Sequence, residues 1–389
     1  MKVDVVIVGA RCAGAATALL IARAGGRVLV VDREEYGTDT PSTHALMRGA
    51  VLQLRRWGVL PAIAAAGTPP IRSTTFSYTD HDVTVAIEPK FGVSALYAPR
   101  RTVLDRVLVD AAAAAGAEIH HRCEVRDVLF DARGRATGVV VLQNGRTERI
   151  DADLVIGADG RHSTVARRVG AATRREARHS TGVLYSYWEN LGGNEYYWAY
   201  RSAASIGLIP TNDDATCVFL AVPWPRFRAA IDGSARQAYE RLIRDGFPAI
   251  AARLHDAQRV EPVRGFGGQL GFMRQGIGPG WALVGDAAYF KDPLTAHGIT
   301  DALRDAELLA RAAVRGTSEA FAGYEDVRSD LSDRLFEITD EVASFAWTDV
   351  QVQALHRALS SEMTREVRFL DALEPFPTLA MSASEGVAV

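Results

Sequence analysis

Residues 3–14 read VDVVIVGARCAG, and this stretch decides the fold of the 389-residue chain. Residues 3–8 form an apolar, β-branched run, which is typical of a buried parallel strand. The alanine-rich stretch after the glycine-bearing turn, residues 13–24, predicts a helix that ends at Gly25 and Gly26. A second apolar run, residues 27–31, predicts another strand that ends at Asp32. The order strand, turn, helix, strand predicts a parallel α/β unit at the N-terminus.

The turn between the first strand and the first helix carries most of a dinucleotide fingerprint, GxGxxG followed about 20 residues later by an acid. Gly9 suits the tight turn, Gly14 allows the helix to pack closely on the strand, and Asp32 is placed to accept hydrogen bonds from a ribose. Arg11 stands in place of the second glycine, so its side chain either points away from the phosphates or wraps around them. The candidate dinucleotide contacts of this unit are Gly9, Arg11, Cys12, Ala13, Gly14, Asp32 and Arg33.

Two later motifs distinguish between FAD and NAD as the bound dinucleotide. Residues 155–163 read VIGADGRHS, and residues 283–288 read LVGDAA, followed by Pro293 and by Gly298. With the N-terminal unit, these motifs resemble the FAD-dependent oxidoreductases of the para-hydroxybenzoate hydroxylase type. That group includes aromatic hydroxylases, flavin-dependent halogenases and geranylgeranyl reductases, and the resemblance covers about residues 1–325.

The resemblance assigns further FAD contacts to the later motifs. It implies that Asp286 binds the ribityl chain, that Arg101 reaches FAD, and that the strand at Val125 meets the adenine. It also implies a helix near residue 298 whose positive N-terminus favours the reduced flavin. The FAD contacts implied in this way are Arg101, Val125, Asp159, Gly160, Gly285, Asp286, Gly298 and Ile299. NADH or NADPH would dock transiently as the electron donor, with Arg161 and Arg167 either steering it or serving as ordinary surface charges.

The loop before residue 298 would run beside the flavin ring and supplies the candidate catalytic residues Pro293, Thr295 and His297. His297 is either a proton donor or hydrogen-bond partner to the ring or substrate, or a residue that shapes the turn. Tyr289 replaces a histidine of many hydroxylases, and Thr295 replaces a glycine common in their loops. These departures leave reduction and hydroxylation equally open, whereas the missing Trp-x-Trp-x-Ile-Pro motif argues against a halogenase.

Composition excludes several other classes of protein. The formal net charge is −3, so no basic field exists for nucleic acid or anionic membranes. The three cysteines are widely spaced, which supports neither disulfides nor a metal site, and no His/Cys cluster has metal-ligand spacing. We expect no metal, no signal peptide, no membrane span and a cytoplasmic location. The oligomeric state stays open.

The pattern along the chain alternates between two kinds of segment. We predict a discontinuous Rossmann-type FAD-binding domain from residues 1–70, 98–170 and 281–325. Strand-rich insertions at residues 71–97 and 171–280 predict an antiparallel substrate domain. Residues 326–389 predict C-terminal helices and a tail, and these helices either cap the site or form a subunit contact.

The strand-rich domain also carries candidates for the substrate pocket. Tyr196, Trp198 and Tyr200 alternate, so they share one face of a strand. That face either lines an apolar cavity over the flavin or belongs to the sheet core.

Three functional hypotheses follow from these observations. The first is an NAD(P)H-consuming tailoring enzyme of secondary metabolism, such as antibiotic biosynthesis, that acts on an apolar or aromatic molecule as a monooxygenase or reductase. The second is an NAD(P)H:flavin reductase that supplies reduced FAD to a partner. The third is a non-catalytic escort-type binding protein.

Overall fold

The computed structural model describes residues 2–376, so most of the tail predicted after Pro375 lies outside the described residues. Its strands in chain order are β1 Lys2–Val8, β2 Val28–Val31, β3 Ser73–Ser77, β4 Asp82–Ala86, β5 Glu118–His120, β6 Cys123–Phe130, β7 Ala136–Gln143, β8 Arg146–Gly157, β9 Thr173–Glu176, β10 Thr181–Glu189, β11 Tyr196–Arg201, β12 Ala204–Pro210, β13 Thr216–Pro223, β14 Gln258–Arg259, β15 Arg264–Phe266, β16 Phe272–Arg274, β17 Ile277–Gly278, β18 Trp281–Leu283 and β19 Tyr289–Phe290. Its helices are α1 Cys12–Arg23, α2 Arg48–Arg56, α3 Leu60–Ala65, α4 Arg101–Ala114, α5 Thr164–Arg168, α6 Trp224–Ala230, α7 Ala235–Gly246, α8 Pro248–His255, α9 Gly298–Arg315, α10 Ser318–Ala343 and α11 Asp349–Asp371.

The first sheet has the order β17-β18-β8-β1-β2-β5, with the antiparallel strands β6 and β7 joined to it through β8. β1 pairs in parallel with β2 and with β8, which confirms the predicted α/β class. Side chains of β1 alternate between two cores, as the twofold period of a strand requires. Val5 and Ile7 pack under the helices, whereas Val6 and Val8 pack under the β6–β7 hairpin.

The second sheet is mostly antiparallel and has the order β14-β10-β13-β12-β11-β3-β4. One of its faces contributes aromatic side chains such as Tyr187 and Phe219 to the core shared with the first sheet. The opposite face is covered by α6, α7 and α8. The allocation of residues to domains stays a prediction, but both sheets draw on several separate stretches of the chain.

The helices differ from the sequence pattern in two places. The pattern of residues 43–60 predicts one helix, but this stretch contains α2 and the start of α3 with a break between them. Pro61 lies in the first turn of α3, where its missing N–H costs nothing, so it begins a helix and does not stop one. The region 171–280, predicted as strand-rich, also contains α6 to α8; Ser234 caps α7 by accepting a hydrogen bond from the backbone N–H of Gln237.

The C-terminal helices pack against the N-terminal unit. α10 lies against α9, and α11 packs on α10 and on α2. Thr348 and Gln351 form a capping box that begins α11. Within residues 2–376, we find no helix with the length and apolar character that a bilayer crossing requires.

Candidate active site

A cavity of about 610 Å³ opens at the carboxyl ends of the parallel strands, where α/β sheets bind their ligands. Val8, Asp32 and Ala158, which end or follow β1, β2 and β8, lie on its wall. The cavity also reaches β10 of the second sheet. It therefore joins the predicted dinucleotide groove to a compartment between the two sheets.

Two glycines of the phosphate loop are fixed by close backbone contacts. Gly9 has φ +107°, and a Cβ there would lie 2.4 Å from the carbonyl oxygen of Ala158. A Cβ on Gly14 would lie 1.8 Å from the carbonyl oxygen of Gly9. Neither position accepts a larger residue, so the start of α1 is held directly against the end of β1, with Cys12 and Ala13 at the cavity wall.

Asp32 and Arg11 set the shape of the loop. The Asp32 carboxylate accepts hydrogen bonds from the backbone N–H of Ala10 at 2.6 Å and of Glu34 at 2.7 Å. The Arg11 guanidinium turns away from the loop, donating to the carbonyl oxygen of Thr38 at 2.7 Å and to Asp105 at 3.2 Å. Of the two orientations open for Arg11, the structure shows the one that points away from the phosphate loop. The neighbouring Arg33 also lies on the cavity wall.

Arg101, for which the resemblance implies an FAD contact, lies on the cavity wall at the start of α4. Its guanidinium is buried and pairs with Asp105 at 2.9 Å, and it also approaches the Cys12 thiol at 3.7 Å. The pairing holds a cationic group in a fixed direction beside the N-terminus of α1.

Gly285 and Asp286 lie where the N-terminal ends of α1 and α9 approach each other. Gly285 has φ +60°, and a Cβ there would lie 2.9 Å from the Cβ of Ala13. Asp286 is partly buried and lies on the cavity wall. Burial raises its pKa to about 6, although Arg101 and Arg161 oppose this shift.

This carboxyl predicts a pH-dependent stability. Because the pKa of Asp286 is higher in the folded protein than its ordinary value of 3.8, ionised Asp286 lowers the free energy of unfolding above about pH 6. We expect Asp286→Asn to raise the free energy of unfolding of the FAD-free protein at pH 8 by about 1–2 kcal/mol, allowing for solvent screening. At pH 3.5, where the carboxyl is mostly protonated in both states, most of the gain should be lost. Urea unfolding at the two pH values measures this, with the exposed Asp245→Asn as the control.

The central motif has a structural part and a cavity part. The Asp159 carboxylate accepts hydrogen bonds from the backbone N–H of Thr164 at 2.6 Å and of Val165 at 3.2 Å, so it caps α5. Gly160, with φ +75°, and Val125 of β6 lie on the cavity wall. Arg161 also reaches the wall and covers the ring of Phe266 at 4.6 Å.

Some residues of the loop before α9 face the cavity, and others face the opposite side. Pro293, Ala296, Gly298 and Ile299 lie on the cavity wall. Thr295 and His297 do not lie on the cavity wall but point backwards. Ala296, and not Thr295, has the left-handed backbone, φ +49°, that favours glycine.

The two backward-pointing side chains contact the C-terminal helices. Thr295 Oγ1 lies 3.2 Å from Thr339 Oγ1 of α10, and His297 Nε2 lies 3.0 Å from Glu366 Oε2 of α11. Burial lowers the pKa of His297 to about 3, so its imidazole is neutral. The candidate catalytic residues are thus separated by the structure: Pro293 borders the cavity, whereas Thr295 and His297 support the loop from behind.

The aromatic strand predicted for the substrate pocket lies deeper than the cavity. Tyr196 donates to the carbonyl oxygen of Tyr97 at 2.7 Å, and Trp198 donates to Thr74 at 3.0 Å. Neither these residues nor Tyr200 lie on the cavity wall. The wall of the second compartment is formed by Val183, Tyr185, Phe266, Tyr289 and Phe290.

His44 is one of the cavity residues that the sequence did not indicate. Its side chain is buried at the wall, and both ring nitrogens lack a hydrogen-bond partner among the described residues. The ring stacks on Tyr187 at 5.7 Å, and burial beside Arg100 and Arg101 lowers its pKa to about 3. Its left-handed backbone, φ +44°, is a feature that sequence patterns do not reveal.

Comparison with known proteins identifies the family. The FAD binding domain family matches residues 2–339, which is most of the chain. The chain belongs to this family. Its members include FAD-dependent enzymes, and this chain is an FAD-dependent oxidoreductase. The cavity fits FAD because the N-termini of two helices, the Arg101 side chain and the Asp286 side chain all lie at its wall.

Reductases and halogenases are among the proteins to which this FAD-dependent oxidoreductase is similar. It is 28% identical over 84% of the chain to a digeranylgeranylglycerophospholipid reductase of Methanothrix thermoacetophila, covering 81% of that protein. It is 27% identical over 81% of the chain to a menaquinone reductase of Mycolicibacterium smegmatis, covering 77% of that protein. The flavin-dependent brominase Bmp2 shares the fold, with a TM-score of 0.80 and 17% identity over 95% of this chain and 94% of that chain.

Proposed function

We propose that this FAD-dependent oxidoreductase takes electrons from NADH or NADPH and uses them to reduce an apolar or aromatic small molecule, as a tailoring enzyme of secondary metabolism. The observation that carries the proposal is the continuity of the cavity. Its dinucleotide end and its apolar compartment meet at the loop of Pro293 and Ala296. The names of the relatives, which include several reductases, favour reduction over hydroxylation.

The residues of the dinucleotide end would hold FAD in place. The N-terminus of α1 would receive the pyrophosphate, Asp32 a ribose, and Arg101 with Asp286 the middle of the cofactor. When bound, FAD supplies the transfer of electrons between the nicotinamide and the substrate. The protein binds and orients the cofactor and excludes water from it.

The second compartment would hold the substrate. Val183, Phe266 and Phe290 give it an apolar surface. Burial raises the pKa of Tyr185 to about 12, so its hydroxyl stays neutral. Neutral His44 adds a group that can donate and accept one hydrogen bond each. This lining suits a molecule that is largely apolar and carries a hydrogen-bonding oxygen.

Consumption of NADH and NADPH by the FAD-loaded protein tests the proposal. Menaquinone, a digeranylgeranylglycerophospholipid and 4-hydroxybenzoate serve as probes, each with and without oxygen. The proposal expects slow oxidation alone and faster oxidation with a probe in the absence of oxygen. A strict need for oxygen, with oxygen entering the product, would indicate a hydroxylase. Rapid oxidation of NADH or NADPH that increases with added free FAD and does not change with the probes would indicate a flavin reductase.

Filling the second compartment is expected to separate the two functions of the cavity. Val183 lies on its wall and is 4% exposed. In Val183→Trp, the indole would occupy the substrate space, so probe-stimulated turnover should fall by at least about tenfold. FAD affinity and the slow oxidation without probe should stay unchanged. Val350→Trp, at a position 74% exposed on α11, is the control. Equal turnover by Val183→Trp and wild type would place the substrate elsewhere.

A further inference from the structure

The loop of residues 293–298, here called the flavin loop, is held from behind by the C-terminal helices. Pro293 and Ala296 face the cavity, while Thr295 and His297 face α10 and α11. Two successive contacts, one to each helix, therefore act on alternate residues of a loop that has no regular structure beyond a short 3₁₀ turn. The position of this loop depends on partners far along the chain.

Glu366 makes the more enclosed of the two contacts. It is 0% exposed, and its Oε2 lies 3.0 Å from His297 Nε2. Neither ring nitrogen of His297 nor Glu366 Oε2 makes a well-formed hydrogen bond among the described residues, so the neutral imidazole and the carboxyl group meet in a close polar contact. The other oxygen, Oε1, accepts a hydrogen bond from Arg304 of α9 at 2.8 Å. One carboxyl group of α11 thus contacts both the flavin loop and the helix that follows it.

The charged side chains around Glu366 form ion pairs with one another. Lys291 pairs with Asp301, and Arg304 pairs with Asp301 and Asp305. His297, Asp301 and Glu366 also offer ligand atoms within 4.8 Å of one another, a spacing that would suit a metal ion. However, Lys291 and Arg304 already occupy both Asp301 oxygens and one Glu366 oxygen. The remaining atoms are too few for a metal centre, so the cluster is better suited to hold the flavin loop.

We propose that Glu366 is a positioning residue for FAD, which acts through His297 on the flavin loop and through Arg304 on the N-terminus of α9. The proposal rests on the proposed FAD chemistry of the cavity. α11 lies beyond residues 2–339, the part matched by the family. It assigns the C-terminal helix to the cofactor site, in place of the cap or subunit contact considered from the sequence.

The alignment of α9 gives the effect a direction. A helix N-terminus carries about half a positive charge, and this charge stabilises an anionic reduced flavin more than a neutral oxidised one. If Glu366 no longer fixes the loop and α9, reduced FAD should lose more affinity than oxidised FAD. The midpoint potential of the bound flavin should therefore fall, which a loss of general stability alone would not produce.

Four variants test the proposal by FAD titration and by the midpoint potential of the FAD-saturated protein. Glu366→Leu and His297→Leu should each raise the Kd for FAD about tenfold and lower the potential. The double variant should be no worse than either single one, because both remove the same contact. Glu366→Gln keeps the shape and polar atoms and should restore both values. Glu362→Leu, one turn earlier on α11, is the matched control.

The outcomes separate this inference from the proposed function. If Glu366→Leu does not fold, His297→Leu still decides, since it leaves the Glu366–Arg304 pair intact. Wild-type Kd and potential in the folded Leu variants would overturn the inference while the proposed function stands. FAD that binds but is not reduced by NADH or NADPH would overturn the proposed function while the Kd comparison still tests the inference. One equivalent of zinc or manganese retained by the purified protein would also overturn the inference about Glu366.

Discussion

Replacing Gly14 by alanine is expected to abolish FAD binding and to lower the free energy of unfolding by about 2–3 kcal/mol. The new Cβ would meet the carbonyl oxygen of Gly9 at 1.8 Å, and backbone on both sides leaves no flexible group to yield. The N-terminus of α1 must then move away from β1, which removes the backbone N–H groups from the phosphate site. FAD titration and urea unfolding of the same preparation measure the two effects.

Gly323 provides a matched control for this substitution. It lies within α10, is exposed, and has nothing within 4 Å of the place where a Cβ would be. Gly323→Ala should therefore leave FAD binding unchanged and raise the free energy of unfolding by about 0.4–1 kcal/mol. Wild-type FAD affinity in Gly14→Ala would show that the close approach of α1 and β1 is not required.

Arg304→Met is expected to have the largest effect on stability, about 3–5 kcal/mol. The Arg304 side chain is 0% exposed and hydrogen-bonds to Asp301, Asp305 and Glu366. Without it, Asp301 keeps the ammonium of Lys291 as a partner, whereas the buried carboxyl groups of Asp305 and Glu366 lose the guanidinium that pairs with them. The loss should be greatest at high pH and smaller near pH 5, because buried carboxyls can then take up protons.

A surface arginine provides the comparison for Arg304. Arg365 of α11 pairs with Asp330 and Glu362, but its side chain is 42% exposed. Arg365→Met should therefore cost less than about 1 kcal/mol. Chemical unfolding of both variants at pH 5 and pH 8 checks the contrast. Equal and pH-independent losses would mean that the buried cluster is not held together by charge.

The fold could be predicted from the sequence because its decisive signals are local. The strand at residues 3–8, the glycines at 9 and 14, and Asp32 lie within one supersecondary unit, and their spacing alone implies the geometry. Arg101 and Asp286 were reached through the resemblance, and the structure places both on the same cavity wall. Their binding of FAD stays a prediction until it is measured.

The direction of loop side chains could not be predicted. His297 was a candidate catalytic residue because it is a polar residue of the flavin loop, but its contact with Glu366, which lies 69 positions later in the sequence, turns it away from the cavity. His44 was missed for the same reason, since its burial depends on Tyr187 and two arginines of other segments. Sequence spacing fixes regular elements, whereas loop orientation depends on contacts between distant parts of the chain.

The substrate compartment shows a related difficulty. The alternation of Tyr196, Trp198 and Tyr200 correctly implies one shared face, but many strands of a sheet present such a face. β10, which is separated from β11 by β13 and β12, supplies Val183 and Tyr185 to the cavity wall. Strand order, which the sequence does not reveal, decides which aromatic residues meet the cavity.

The most direct test of FAD binding in this cavity is a titration of the folded, flavin-free protein with FAD, followed by calorimetry and by the visible spectrum of the complex. We expect one FAD to bind per chain, and we expect Arg101→Met and Asp286→Asn each to weaken the affinity for FAD at least about tenfold. A folded, colourless protein that takes up no FAD would contradict it and revive the escort-type binding protein. FAD affinity that is unchanged by both substitutions would show that FAD binds outside this cavity.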